Sequence, residues 1–292
     1  MSDKVLVTGA AGHLGRRVVA NLLAGGRIAR SQIVAATRKP AELADAGVEV
    51  RRADFDDAQS LATAFAGISR ILIISTDAVG RAGLRLAQHL NAIDAARKAG
   101  IRHIVYTSMP NPETSAVTFA PDHLGTEQAI AASGLSFTVL RNSWYQENLL
   151  GALPGVIKSG QWFSAAGDGR PSHVSREDCA AAAAAALAAP PPGNQTFTLT
   201  GEAARTTREV AALASEIVGK PIAVVDVTPE GLAAGMKQAG LPEVIIPMLV
   251  SFDVNAKQGG FDIVTDAVKR LSGREPRGLK DFFVANRSAL LA

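Results

Sequence analysis

Residues 4 to 23 read Lys4-Val5-Leu6-Val7-Thr8-Gly9-Ala10-Ala11-Gly12-His13-Leu14-Gly15-Arg-Arg-Val18-Val-Ala-Asn-Leu22-Leu23, and this stretch decides the fold. Val5, Leu6 and Val7 make the continuous apolar run of a strand buried on both faces, while Leu14, Val18, Leu22 and Leu23 return at helical spacing. Between them, Gly9-x-x-Gly12-x-x-Gly15 offers a turn without Cβ penalty, a backbone bare enough for a pyrophosphate to approach, and close packing of helix on strand. The unpaired amides and positive pole of the helix then face the anion. A glycine triplet alone is weak evidence, because any glycine-rich turn can match it. With a strand before it and a helix after it, the triplet predicts dinucleotide binding rather than a bare structural turn, and Gly9, Ala10, Ala11, Gly12, His13, Leu14 and Gly15 become candidate cofactor-binding residues.

The next strand decides which dinucleotide. Ile33 to Thr37 is an apolar strand, and an NAD-selective chain is expected to carry Asp or Glu near its end, about twenty residues past the glycines, to accept from the ribose 2′-hydroxyl. Here stand Arg38 and Lys39. A guanidinium at that place pairs with a 2′-phosphate and offers nothing to a bare hydroxyl, so the selection runs toward NADP. The plain alternative is two solvated cations before Pro40.

Val48 to Asp54 alternates like a third strand, and Asp54 with Phe55 at its carboxyl end is placed to meet the adenine amino group and ring edge. Asp56 and Asp57 instead suit the dipole of the helix that follows. Arg70 to Ser75 is a fourth, fully buried strand whose exit, Ser75-Thr76, points small polar side chains at the crevice. A helix from about Arg81 to Lys98 and a fifth strand, His103 to Ser108, complete an alternation that defines an α/β fold with a doubly wound parallel sheet. A helix from near Asp122 to Ser133 and a sixth strand, Phe137 to Arg141, extend it. That strand closes on Asn142-Ser143-Trp144-Tyr145, where the aromatics are placed to stack on a flat acceptor and Asn142 to bond the nicotinamide or ribose.

Past Leu150 the alternation loosens, and Gly151, Pro154, Gly155 and Gly160 break it up. Residues 1–150 therefore read as the nucleotide-binding domain and 151–292 as a smaller, mostly helical substrate lobe. Thr196 to Thr200 is the exception, a strand that returns to the main sheet. Ser175-Arg-Glu-Asp178 resembles a capping box opening the alanine-rich helix of Ala180 to Ala189, which Pro190-Pro-Pro192 ends. Thr206-x-x-Glu209 caps a further helix to Val218; Ile222 to Val227 is a strand, Thr228 starts another helix, and short helices fill the remainder.

The totals exclude several functions. In 292 residues, 30 Lys and Arg face 27 Asp and Glu for a net charge of +3, and the cations are scattered without interleaved aromatics, so a pI near 9.2 is no argument for nucleic acid. Cys179 is the single cysteine, which rules out an internal disulfide and a thiolate metal cage. The five histidines lack ligand spacing, so no metal is expected. No signal-like start and no apolar run of about 20 residues occurs, which leads us to expect no membrane and a cytoplasmic protein.

The glycine spacing resembles that of the short-chain dehydrogenases, which usually protonate the carbonyl product with a Tyr whose pKa is lowered by a Lys four residues on. At that place this chain has His123-x-x-x-Glu127. A glutamate raises rather than lowers a neighbouring acid's pKa, so the substrate should be one whose reduction needs little help from an acid. Quinones accept hydride readily. His123 is the candidate catalytic residue, either donating the proton or orienting the acceptor, with a helix-start histidine that caps nothing as the bland alternative.

Val7-Thr-Gly-Ala-Ala-Gly-His-Leu-Gly15, Ser31-Gln-Ile-Val34, Tyr106-Thr-Ser108, Asp122-His123 with Thr126-Glu127, Leu140-Arg-Asn142-x-Trp-Tyr145-x-Glu-Asn148, Ala165-Ala-Gly-Asp-Gly169 and Gly240-Leu-Pro-Glu243 together resemble the type 2 quinone oxidoreductases. These belong with the NmrA-like, atypical short-chain dehydrogenases. The resemblance covers most of the chain, and Leu140 to Asn148 is its most specific segment. It implies NADPH-dependent, flavin-free reduction of a small quinone-like molecule, with Gly9 to Leu14 on the pyrophosphate, Arg38 on the 2′-phosphate, and Leu140, Asn142, Ser143, Trp144 and Tyr145 on the nicotinamide side. The same group resembles triphenylmethane reductases and NmrA regulators, so reduction of another electron-poor acceptor, such as a dye or an enone, and non-enzymatic sensing of NADP(H) are the alternatives.

Overall fold

The computed structural model describes residues 3–292. The first half of the chain alternates as expected: β1 (Lys4–Val7), α1 (His13–Gly25), β2 (Ile33–Thr37), β3 (Glu49–Arg52), α2 (Ala58–Phe65), β4 (Ile68–Ile73), α3 (Leu84–Lys98), β5 (His103–Ser108), α4 (Ala120–Ala132) and β6 (Ser136–Asn142). The second half adds α5 (Leu149–Ser159), β7 (Gln161–Ser164), α6 (Arg176–Ala188), β8 (Gln195–Leu199), α7 (Thr207–Val218), β9 (Ala223–Asp226), α8 (Pro229–Gln238), α9 (Ile246–Lys257), α10 (Ala267–Ser272), α11 (Leu279–Ala285) and α12 (Arg287–Leu290).

Seven strands form one parallel sheet in the order β3-β2-β1-β4-β5-β6-β8. The chain runs outward to one side through β2 and β3, then crosses back to place β4 beside β1, so the carboxyl ends of β1 and β4 flank the switch point where such sheets bind ligands. The pleat divides the core. Val5 and Val7 face one side with Leu14, Val18, Ile33 and Leu72, while Leu6 faces the other with Leu61, Phe65, Ile71 and Ile104. α1 and α6 cover the first face; α2, α3 and α4 cover the second.

The chain after residue 150 packs in two places. β8 pairs with β6 as the returning strand, and α6 and α10 pack on the sheet face beside α1. The alanine tract explains the closeness of α6, because methyl side chains bring two backbones together at no cost in helix propensity. α5, α7, α11 and α12 enclose a separate core of Leu153, Ile157, Val210, Val218 and Phe283, and β7 pairs in parallel with β9 beside it.

Past Leu150, where Gly151, Pro154 and Gly155 break up the sequence pattern, the chain is nonetheless helical to Ser159. Pro154 sits inside α5 and removes an amide, a cost of about 3 kcal/mol in an isolated helix, but Leu149, Leu153 and Ile157 recur at i, i+4 and i+8 and bury the face that holds it. The helix then stops at Gly160, with φ of 72°. β7 went unforeseen, since four residues after a glycine carry too little pattern to separate a strand from a turn. The other differences are at ends: α3 starts at Leu84 behind Gly83, α4 at Ala120 with Pro121 in its first turn, and α6 at Arg176 behind Ser175, whose hydroxyl accepts from the Asp178 amide.

Candidate active site

Two cavities open along the carboxyl ends of the strands. The smaller, about 380 Å³, is lined by Gly9, Ala11, Gly12, Arg38, Lys39, Asp54, Phe55, Ser75 and Thr76. The larger, about 870 Å³, runs from Ser75, Thr76 and Asp77 past Asn142, Ser143, Trp144 and Tyr145 to α5, β7, α8 and α9. They meet at Ser75, Thr76 and Asp77, forming one bent crevice over the switch point.

The turn after β1 builds the first arm. Gly9 adopts φ of +59°, which a side chain rarely tolerates, and the Gly12 amide closes the turn on the Gly9 carbonyl at 2.9 Å. Gly15 lies beneath: a Cβ there would stand 2.3 Å from the Gly9 oxygen, so the helix can seat against the turn only through glycine. α1 has no side-chain cap and no acid in its first turn, leaving its amides to a ligand. Arg38 is exposed, with its guanidinium 4.0 Å from the Asp77 carboxylate, and Lys39 lies 3.6 Å from Glu42. Both cations are therefore loosely held.

Not every predicted residue reaches the crevice. Ala10, Leu14 and Leu140 are buried in the core, and the His13 side chain is exposed at the start of α1, so these contribute packing or backbone rather than cavity-lining side chains. Asp57 and Asp56 serve the neighbouring helices, Asp57 capping α2 through the Gln59 and Ser60 amides and Asp56 accepting from Gln88.

The second arm carries the polar groups that the fold leaves open. Asn142 is 8 % exposed; its Nδ2 donates to Tyr145 Oη at 2.9 Å while its Oδ1 has no partner, and the Thr76 hydroxyl is likewise buried and unpartnered. A bound molecule that reaches these two atoms would complete their hydrogen bonding. With the bare glycine turn, uncapped helix and loosely held cations at the other arm, these residues fit a phosphorylated dinucleotide. The Trp144 ring packs on Phe252 with centroids 3.9 Å apart and planes tilted by 49°, giving the cavity an aromatic wall.

His123 and Glu127 sit on α4 below this arm. Arg85 Nη2 lies 2.9 Å from His123 Nε2, and a guanidinium only donates, so Nε2 accepts and the ring proton is on Nδ1, where it points at Tyr106 Oη, also 2.9 Å away. Burial, then the charges of Arg85 and His89, hold the His123 pKa well below its ordinary value. The ring is neutral with both nitrogens engaged. Burial likewise pushes the Tyr106 phenol up. Glu127 accepts from Ser108 Oγ and from Arg141 Nε and Nη2, at 2.5, 3.0 and 2.6 Å, so its charge is committed to holding β5 and β6 together.

Arg85, Met109, Phe119, Trp162, Phe163, Leu232, Met236, Met248 and Phe252, none of them a candidate from the sequence, also line the larger cavity. Arg85 had a signal. With His89, Ala92 and Ala96 it falls on the buried stripe of α3. The others come from elements far along the chain whose convergence no local pattern reveals. Among the described residues no group of His, Cys, Asp and Glu is arranged to hold a metal, and no helix is long and apolar enough to cross a membrane.

Sheet order, glycine turn and crevice define a Rossmann-type dinucleotide-binding fold of the short-chain dehydrogenase kind. The chain belongs to the NmrA-like family, whose model matches residues 1–283. It is 37% identical over 272 residues to quinone oxidoreductase 2 of Escherichia coli strain K12, covering 92% of this chain and 93% of that protein. The crystal structure of an NADPH-dependent quinone oxidoreductase from Escherichia coli complexed with NADPH superposes with a TM-score of 0.91 at 35% identity, covering 97% of this chain and 99% of that one. The Citrobacter sp. triphenylmethane reductase complexed with NADP(H) superposes at 0.89 with 33% identity, covering 98% and 100%.

Proposed function

We propose that this protein is an NADPH-dependent, flavin-free oxidoreductase that reduces quinones by direct hydride transfer in a cytoplasmic setting. The observation that carries the reading is the bent crevice, in which a phosphate-ready turn with two loosely paired, exposed cations opens at Ser75 to Asp77 into an apolar cavity with an aromatic wall. The Escherichia coli quinone oxidoreductases of similar sequence and fold support it. So does the lone Cys179, a buried free thiol suited to a reducing compartment.

In this reading Gly9, Ala11 and Gly12 receive the pyrophosphate on backbone, with Ala10, His13, Leu14 and Gly15 shaping the turn. Arg38 and Lys39 meet the 2′-phosphate, Asp54 and Phe55 the adenine, and Ser75, Thr76 and Asn142 the nicotinamide half. Bound nicotinamide supplies the hydride. Ser143, Trp144, Tyr145 and Phe252 hold a flat acceptor and exclude water, so catalysis is chiefly placement. His123 positions its neighbours, and the proton that completes the product comes from solvent.

The test is to mix purified protein with NADPH and benzoquinone and follow the loss of reduced-nicotinamide absorbance. Saturable, protein-dependent loss without added flavin is expected. A rate no greater than that of the protein-free mixture would overturn the reading in favour of nucleotide sensing, and a panel of dyes and enones separates the quinone from other acceptors.

A further inference from the structure

The first turn of α3 places a positive charge in the apolar cavity, and no carboxylate among the described residues pairs with it. Arg85 is 5 % exposed, lines the larger cavity, and makes no ion pair among the described residues. Its Nη2 donates to His123, its Nε has no acceptor, and the guanidinium stacks 4.8 Å from the centre of the Phe119 ring. Desolvating a charge without a counter-ion costs several kcal/mol, so such a group is kept where an opposite charge arrives in the working cycle.

Asp122 and Asp77 act on Arg85 only at a distance, without an ion pair, and the other carboxylates near the cavity are bonded elsewhere. Glu147 accepts from the Arg176 amide, Asp253 from Ser164 Oγ and the Ala165 amide, and Asp77 faces Arg38 across the rim. His123 and Tyr106, the titratable groups packed directly beneath Arg85, are neutral at ordinary pH, and their hydrogen-bond chain fixes where the guanidinium points.

We propose that Arg85 is the anion-holding residue of the acceptor site, gripping the oxygen that becomes negative on reduction and selecting uncharged carbonyl acceptors over cationic ones. This rests on the reductase reading. A quinone that takes a hydride from the dihydronicotinamide becomes a hydroquinone monoanion, its new charge spread on a phenolate oxygen, while the nicotinamide is oxidised; one proton from water then gives the neutral hydroquinone. In a water-poor cavity a fixed guanidinium stabilises that oxyanion far more than solvent would. A triphenylmethane dye cation, by contrast, begins with the same sign of charge as Arg85 and ends neutral, so the group opposes its entry and offers its product nothing.

Binding of 4-nitrophenol, a flat product mimic whose phenolate is coloured, tests this without turnover. Wild-type protein should bind the phenolate at least about tenfold more tightly than the neutral phenol, lowering the apparent pKa of the bound probe by about one unit. Arg85→Met should abolish the preference and Arg85→Lys keep part of it; equal affinity of wild type for both forms, or an unchanged preference in a folded Arg85→Met, overturns the proposal. If Arg85→Met does not fold, the wild-type ratio alone decides. In turnover, Arg85→Met should lower kcat on benzoquinone by about 100-fold with the KM for NADPH unchanged, and raise the relative rate on a cationic dye. Wild-type protein that prefers the phenolate yet oxidises no NADPH would count against the reductase reading and leave the anion site standing.

Discussion

The Thr76 amide donates to His89 Nε2 at 3.0 Å, so the residue that leaves β4 at the mouth of the crevice is tied to a fully buried ring on α3. The bond fixes the tautomer: Nδ1–H donates to Thr126 Oγ1 at 2.9 Å, and that hydroxyl donates to the Asp122 carbonyl at 2.6 Å. One neutral histidine thus links the crevice floor to both helices beneath it.

The link makes the fold sensitive to acid. Burial, then the charge of Arg85, holds the His89 pKa down from 6.5 to about 3. Below pH 6.5 the unfolded chain takes up a proton that the folded chain refuses, so the stabilisation is complete above that pH and lost as pH falls toward about 3. Urea midpoints should decline through this window, His89 alone contributing up to about 1.4 kcal/mol per pH unit. In His89→Gln, which keeps an acceptor for Thr76, the decline should be shallower; an unchanged slope would refute the assignment.

Arg38 separates the two nicotinamide cofactors. Its side chain is 67 % exposed and only 4.0 Å from Asp77, so it is free to meet a 2′-phosphate at the cost of a weak surface pair. Arg38→Asp should weaken NADPH by about tenfold or more while leaving NADH little changed, as read by calorimetric titration. Equal loss for both would remove the 2′-phosphate from this position.

Gly15→Ala should damage the fold and the site together. The added methyl would meet the Gly9 oxygen at 2.3 Å and Ala10 Cα at 2.7 Å, both backbone, so α1 must shift away from the turn. A loss of about 1–3 kcal/mol in denaturant unfolding is expected, with weaker NADPH binding in whatever remains folded. Full stability and full affinity would show that the close seating is incidental.

Glu127 stands where short-chain dehydrogenases place a catalytic lysine, but its bonds are structural. Glu127→Gln should leave Arg141, 15 % exposed, with only Glu113 as its carboxylate and cost about 2 kcal/mol, while the pH profile of kcat keeps its shape. A profile that loses a limb would instead make Glu127 a proton carrier.

How much of this was legible in the chain follows from the range of each signal. Val5 to Val7, Gly9 to Gly15 and Leu14 to Leu23 are contiguous, so strand, turn and helix could be read as one unit, and Arg38 and Asp54 followed from strand ends. β8 was recoverable because Thr196 to Leu199 alternates. α5 was not, because Gly151, Pro154 and Gly155 argue locally against a helix that the burial of Leu149, Leu153 and Ile157 sustains from afar. His123 was found by position, but its hydrogen-bond partners were hidden, since Arg85 and Tyr106 reach it from other elements. The aromatic wall was half visible: Trp144 closed a strand, whereas Phe252 arrives on α9 more than a hundred residues later.

The central claim is that dinucleotide and acceptor share one bent crevice and meet above Ser75 to Asp77. Its most direct test is a crystal structure of the protein with NADPH. The account predicts the adenosine against Asp54 and Phe55, its 2′-phosphate on Arg38, the pyrophosphate on the Gly9 to Gly12 turn, and the nicotinamide beside Asn142; a nucleotide bound elsewhere, or one lying reversed along the crevice, would contradict it.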